Sequence, residues 1–291
     1  MLLTLLVSGL ATGSIYALVG IGLVQIFKAA RVKNFAQGDM FMLGAFLSFT
    51  LHVLLGFPYL AALLVATIGT TVLGLLTERV AYRPISKSSI ISLMMSTVAS
   101  GFILRGFARV IWGGKGDFLT FPPILGSEPI SLGNVVISSQ HLVLLGASLI
   151  TMGIFGAIFK YTEIGKMMRA AADNKRAAQL VGIEIGKISA ITWALAGCLG
   201  GVAGVLMAPI RLIYPDMGLH ILLRALAAVT VGGFDSVLGA VVGGMLVGIL
   251  ENLVSGYISS QLMDVSAFVI IVLVLLVRPY GLFGTPEIRK V

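Results

Sequence analysis

The sequence predicts an all-α polytopic membrane protein: about eight transmembrane helices, with broken or re-entrant helical elements and a short helical segment on the cytoplasmic side. Three observations carry this. Hydrophobic residues make up 58% of the 291 positions, charged residues only 11%, and the mean hydropathy is +1.05. Apolar runs near 1–27, 40–57, 58–76, 88–104, 141–159, 188–210, 225–254 and 263–277 mostly reach the 17–25 residues or so that a helix needs to cross a bilayer. The basic residues are gathered between these runs rather than within them.

The first run, residues 1–27, contains no charged side chain and is followed by Lys28, Arg31 and Lys33. It lacks the basic start of a secretory signal and reads as a retained first span. The segments 28–39, 77–89 and 160–187 hold three, three and six Lys or Arg, and the connection at 56–59 holds none. The positive-inside rule therefore puts those three segments in the cytoplasm and the N-terminus outside. It makes 105–140, with its GGKGDFLTFPPILGSEP stretch, an external excursion. The net charge of +8 belongs to these loops, and no basic run is interleaved with aromatics, so nucleic acid is not an expected partner.

The run 225–254 is too long for one ordinary span and is interrupted at Gly232, Gly233, Asp235 and Ser236. It reads either as a broken or re-entrant helix lining a wet cavity or as a plain turn between two helices. If it re-enters, Arg278, Arg289 and Lys290 fall inside; straight alternation leaves them outside. Glycines recur every fourth residue: Gly9 and Gly13, Gly197 and Gly201, Gly200 and Gly204, Gly239 and Gly243, Gly244 and Gly248. Such spacing suits close helix packing, because association in lipid gains little from hydrophobicity.

Several chemistries have no support. There is no GxxxxGK[ST] loop for ATP, no HExxH or Cys/His metal spacing among His52, His141 and His220, and no GxSxG elbow; Cys198 has no base beside it. No metal site, cofactor or catalytic residue is expected in this chain. Of the ionisable groups, Asp235 and Glu251 read as lying within spans, Glu251 near the end of one. Two isolated carboxylates make a thin proton relay, although an ion-gradient-driven carrier remains the alternative class.

The charged ribbon RAAADNKRAAQLVGIEIGK, 169–187, needs a different account. Thr162 is an N-cap for a short helix with Ile164, Met167, Met168 and Ala171 along one face. Asp173 reads as the cap of a second helix carrying Ala177, Ala178 and Val181, and Gly182 supplies the stop.

These residues resemble the cytoplasmic loop of permease subunits in the branched-chain amino acid family of ABC importers. The resemblance extends to GLATGSIYALVGIGL (9–23), VKNFAQGDMFMLGAF (32–46), TVGGFDSVLGAVVGGMLVGILE (230–251) and RPYGLFG (278–284), in order. It implies a single transmembrane permease domain over 1–291, multi-pass in the bacterial inner membrane, with a coupling loop at about 160–187. It implies a second permease chain, two ATPase subunits that hold the ATP and magnesium, and an external solute-binding protein. Coupling is then expected at Arg169, Ala170, Asp173, Ala178, Leu180, Gly182 and Ile183. Pathway or gating roles are expected at Asn34, Phe35, Gln37 and Gly38, beside Gly232, Gly233, Asp235 and Ser236.

Overall fold

The computed structural model describes residues 2–115, 118–124, 130–132 and 135–284. Arg289, Lys290 and parts of the GGKGDFLTFPPILGSEP stretch lie outside the described residues. Helices dominate: α1 (Leu2–Ala30), α2 (Gln37–Phe49), α3 (Tyr59–Thr77), α4 (Ile90–Trp112), α5 (Ser139–Tyr161), α6 (Glu163–Asp173), α7 (Lys175–Leu180), α8 (Ile185–Met207), α9 (Met217–Gly232), α10 (Val237–Tyr257) and α11 (Met263–Val277). Two three-residue strands, β1 (Ile130–Leu132) and β2 (Val135–Ile137), form a small antiparallel ribbon.

Among the described residues, six helices are long and apolar enough to cross a membrane: α1, α3 with its continuation to Ile85, α4, α5, α8 and α10. The chain is thus a multi-pass membrane protein. The expected spans shift in detail. The run 58–76 extends to Ile85, and α4 continues to Trp112, so Arg105 and Arg109 are helical rather than part of an external loop. The run 225–254 divides into α9, with 16 residues, and α10.

The core is built around α1, which packs on α10, α8 and α9, while α8 is flanked by α2 and α3. Small residues set these distances. A Cβ on Gly13 would stand 2.6 Å from the Gly244 carbonyl oxygen, and one on Gly9 2.7 Å from the Ile249 Cα. Gly197 meets the Thr70 carbonyl, Gly201 meets the Thr70 side chain, and Gly204 meets the Phe41 carbonyl. Gly239 and Gly243 lie on Gly232 and Ala228 of α9. Each seam brings backbone close to its neighbour, where dispersion and weak C–H···O hydrogen bonds replace the missing hydrophobic drive.

Two ends of the bundle can be told apart. One gathers the end of α1, Asp173 at the end of α6, the α9–α10 turn and Pro279–Tyr280 around a cavity of about 570 Å³. This end carries the basic segments and is the cytoplasmic one by the charge rule. The other gathers Thr50, Trp112, Leu119 and Ile213: Trp112 Nε1 donates to Thr50 Oγ1 at 2.8 Å, and Leu119 pairs with Ile213.

The interruption at Gly232–Ser236 is a tight turn at the cytoplasmic end. Gly233 has φ +108°, a conformation open to glycine, and Ser236 caps α10 by accepting from the Gly239 amide at 2.9 Å. The closing RPYGLFG block docks here: Leu282 and Phe283 amides donate to the carbonyls of Val231 and Gly232 at 2.8 and 2.9 Å, which satisfies the end of α9. The re-entrant reading of this stretch is therefore corrected to a turn, and Arg278 shares the cytoplasmic end because α9 and α10 run as separate antiparallel helices.

Candidate functional site

The true re-entry lies elsewhere, between α1 and α2. Arg31, φ +59°, reverses the chain, and Val32, Asn34, Ala36 and Gln37 are fully buried. Gln37 Nε2 donates to the Ala196 carbonyl at 2.8 Å, and Gly101 sits against the Asp39 carboxylate. Ala196 and Gly101 are the middle residues of α8 and α4, so α2 begins at mid-height inside the bundle. The expectation that 28–39 is a cytoplasmic loop holds only for its first half. Burial of the second half is possible because its polar groups find partners: Asn34 Oδ1 accepts from the Ala36 amide, Asn34 Nδ2 donates to Gln37 Oε1, and Thr97 Oγ1 accepts from the Phe35 amide.

The first turn of α2 meets the first turn of α9, with Gly38 and Gly218 in backbone contact. Both helices point their positive dipole ends into the bundle there. Each has an acid at that end held by α4: Asp39 pairs with Arg105 at 2.9 Å, and Asp216 with Arg109 at 2.8 Å. Arg105 and Arg109 stand one turn apart, so a single helix grips both junction partners. The first pair is buried and the second is about half exposed.

A second buried cluster joins α1, α9 and α10. Glu251 has 0% exposure, accepts from Tyr16 Oη at 2.7 Å and pairs with Arg224 Nε at 3.0 Å. It lies in the last two turns of α10, near the end of the span as expected, yet it is fully buried, because two partners from neighbouring helices satisfy it. Asp235, by contrast, belongs to the cytoplasmic turn and lines the cavity there with Lys28, Arg31 and Asp173.

Sequence reasoning missed Asp39, Arg105 and Arg224. Arg224 lies just outside the apolar run 225–254, and Asp39 lies at the end of the basic segment 28–39. A lone charge flanked by apolar residues, as in HILLRALAAV (220–229) and GFILRGFARV (101–110), is the signal that marks them.

At the basic end of the bundle, α6 and α7 form a compact hairpin. Thr162 caps α6 by accepting from the Gly165 amide at 3.2 Å. Asn174, not Asp173, caps α7: its extended backbone lets Oδ1 accept from the Ala177 amide at 3.1 Å, while Asp173 is the last helical residue of α6. Gly182 has φ +85°, and the amides of Gly182 and Ile183 close on the carbonyls of Gln179 and Ala178. Met168, Ala171 and Ala178 pack on Ile188 in a small core of their own, and Ile183 adjoins it. Ile164, expected on the buried face, is exposed, and Gly165 takes its place against Phe159. Arg169 turns back to cap the last carbonyls of α5, donating to Phe159 and Lys160. Leu180 and Val181 are 88% and 77% exposed at the tip. Lys175 titrates below the ordinary lysine range because its ammonium is partly desolvated and faces Arg31.

The model of the branched-chain amino acid transport system permease component matches residues 5–277. The chain belongs to this permease family. This permease is 30% identical to the high-affinity branched-chain amino acid transport system permease protein LivH of Escherichia coli K12, over 98% of its own length and 96% of the relative's. It is 31% identical to the corresponding protein BraD of Pseudomonas aeruginosa, with 98% and 97% covered. It is also 31% identical to a probable branched-chain amino acid permease, LivH, of the archaeon Methanocaldococcus jannaschii, with 93% and 89% covered.

Proposed function

We propose that this permease is the membrane-spanning subunit of an ATP-driven importer for branched-chain or related amino acids, seated in a bacterial inner membrane. It works with a second, different permease chain, two ATPase subunits that bind the ATP and magnesium, and an external solute-binding protein. The permease itself performs no catalysis. The observation that carries this reading beyond family membership is the α6–α7 hairpin. It is a rigid, internally packed rod pair on the basic end, with the apolar tip Leu180–Val181 left in solvent. Exposed large apolar residues at a helix end suit a protein partner.

In this reading, Asp173, Leu180 and Gly182 meet the ATPase, with Ala170 on the same helix as Asp173, while Ala178 and Ile183 stiffen the hairpin. Arg169 makes α6 move with α5. Across the cytoplasmic cavity Asp173 faces the Gly232–Ser236 turn, so displacement of α6 reaches α9 and α10. At the far end of α9, Gly38 and the Asn34–Gln37 re-entry shift with it, alternating access between two packed states. Purification from gently solubilised membranes tests the assembly: two nucleotide-binding subunits are expected to accompany the permease, and a Leu180→Glu, Val181→Glu double variant is expected to lose them. Isolation of a permease that moves amino acids without any ATPase overturns the reading.

A further inference from the structure

Beneath the connection 208–216 lies a cavity of about 320 Å³, at the lower end of the size range typical of ligand pockets, about 300–1,000 Å³. Its lining is apolar at Phe41, Met207, Ile210, Met217 and Ile221 and basic or titratable at Arg211, His220 and Arg224. The two guanidiniums differ. Arg224 is 7% exposed and balanced by Glu251. Arg211 is half-buried and close enough for its charge to act on Glu251, and its guanidinium has no ion pair or hydrogen bond among the described residues. Two cations therefore face one carboxylate whose oxygens are already engaged by Tyr16 and Arg224. A site of low polarity with one uncompensated guanidinium selects a carboxylate, which its planar fork binds through two hydrogen bonds.

We propose that this cavity is the transmembrane solute site, with Arg211 as the anchor of the α-carboxylate and the apolar lining residues, Phe41 and Ile221 among them, as the seat of a small apolar side chain. The proposal rests on the import reading above and adds the residues that recognise the solute. It also ranks the solute's groups. No acidic side chain is among the residues that line the cavity, and Glu251, buried beyond Arg224, is already paired, so the ammonium contributes less to binding than the carboxylate.

The assembled transporter, purified without the external binding protein, provides the test, with L-leucine, 4-methylpentanoate, L-leucinol and inorganic phosphate as probes. Leucine and 4-methylpentanoate are expected to bind, and leucinol, lacking the carboxylate, at least tenfold more weakly. Arg211→Ala is expected to weaken leucine binding at least tenfold, Arg211→Lys to recover part of the loss, and Ile221→Trp to fill the cavity. Co-elution with the partner subunits shows that each variant is assembled. Leucine affinity unchanged in assembled Arg211→Ala and Ile221→Trp, with wild-type uptake intact, overturns the site alone. Phosphate binding as tightly as leucine also overturns it, as an unselective anion well. Failure of the wild-type complex in proteoliposomes to take up any amino acid overturns the import reading and the site with it.

Discussion

The α6–α7 hairpin and the α2–α9 junction solve opposite problems. The hairpin stands in water, where its caps and small core make a stiff rod and its exposed ion pairs, such as Lys166 with Glu163 at 3.7 Å, contribute little. The junction lies at mid-height in the bundle, where glycine packing and buried charge pairs leave almost no freedom. Force can be received by a surface that is stiff but replaceable. It can be passed on only by packing that has a few discrete arrangements. With the hairpin in its proposed coupling role, substitutions should act on fold at the junction and on transport at the hairpin.

The largest effect is expected from Gly38→Leu. Its side chain would enter the space of the Gly218 backbone and Leu222, and overpacking between two backbones has no rotamer escape. Loss of folded permease, read as the monodisperse yield after solubilisation, is the expected result; a normal yield would show that the junction is looser than drawn.

Next comes Arg224→Leu, which leaves Glu251 buried without its cation at a cost of about 3–5 kcal/mol. Thermal unfolding in detergent should show the loss, and the double variant Arg224→Leu, Glu251→Gln should recover much of it. Equal destabilisation in both would mean that charge pairing is not what holds α9 to α10.

A smaller effect, confined to function, is expected from Asp173→Lys or Gly182→Pro. ATP-driven uptake should fall about tenfold or more, near 1.4 kcal/mol, while membrane insertion stays normal. Gly182 at φ +85° cannot be matched by proline, whose ring fixes φ near about −65°. Wild-type uptake in both variants contradicts the hairpin's role.

The smallest is Arg109→Gln. This pair with Asp216 is about half exposed, so no more than about 1 kcal/mol of stability should be lost, against a much larger loss for Arg105→Gln one turn below. Similar losses at both positions would erase the distinction between a wet and a dry pair along α4.

The hairpin was the more legible region. Caps, a stop glycine and apolar spacing are local signals, so Thr162, Gly182 and the two helices can be read directly, with Asp173 and Asn174 exchanged as cap and Ile164 turned outward instead of inward. The glycine spacing likewise marked where helices would touch, although not which helix each would meet. The re-entry at 32–37 was not legible. Asn34 and Gln37 look like loop residues until Ala196 and Thr97, far away in sequence, supply hydrogen bonds to this segment. Arg105 and Arg224 were hidden for the same reason: hydropathy windows place a charge outside a span, and only the partners Asp39 and Glu251 make its burial tolerable. The turn at Gly232–Ser236 was located correctly, but its depth depended on the docking of residues 281–284, a long-range contact.

The most direct test is uptake of labelled L-leucine into liposomes holding this permease with its second permease and two ATPase subunits, supplied with the external binding protein. An ATP-driven importer accumulates leucine only with ATP, keeps doing so in a protonophore and stops when the ATPases are left out. Accumulation by the permease alone, driven by an ion gradient, would contradict that mechanism.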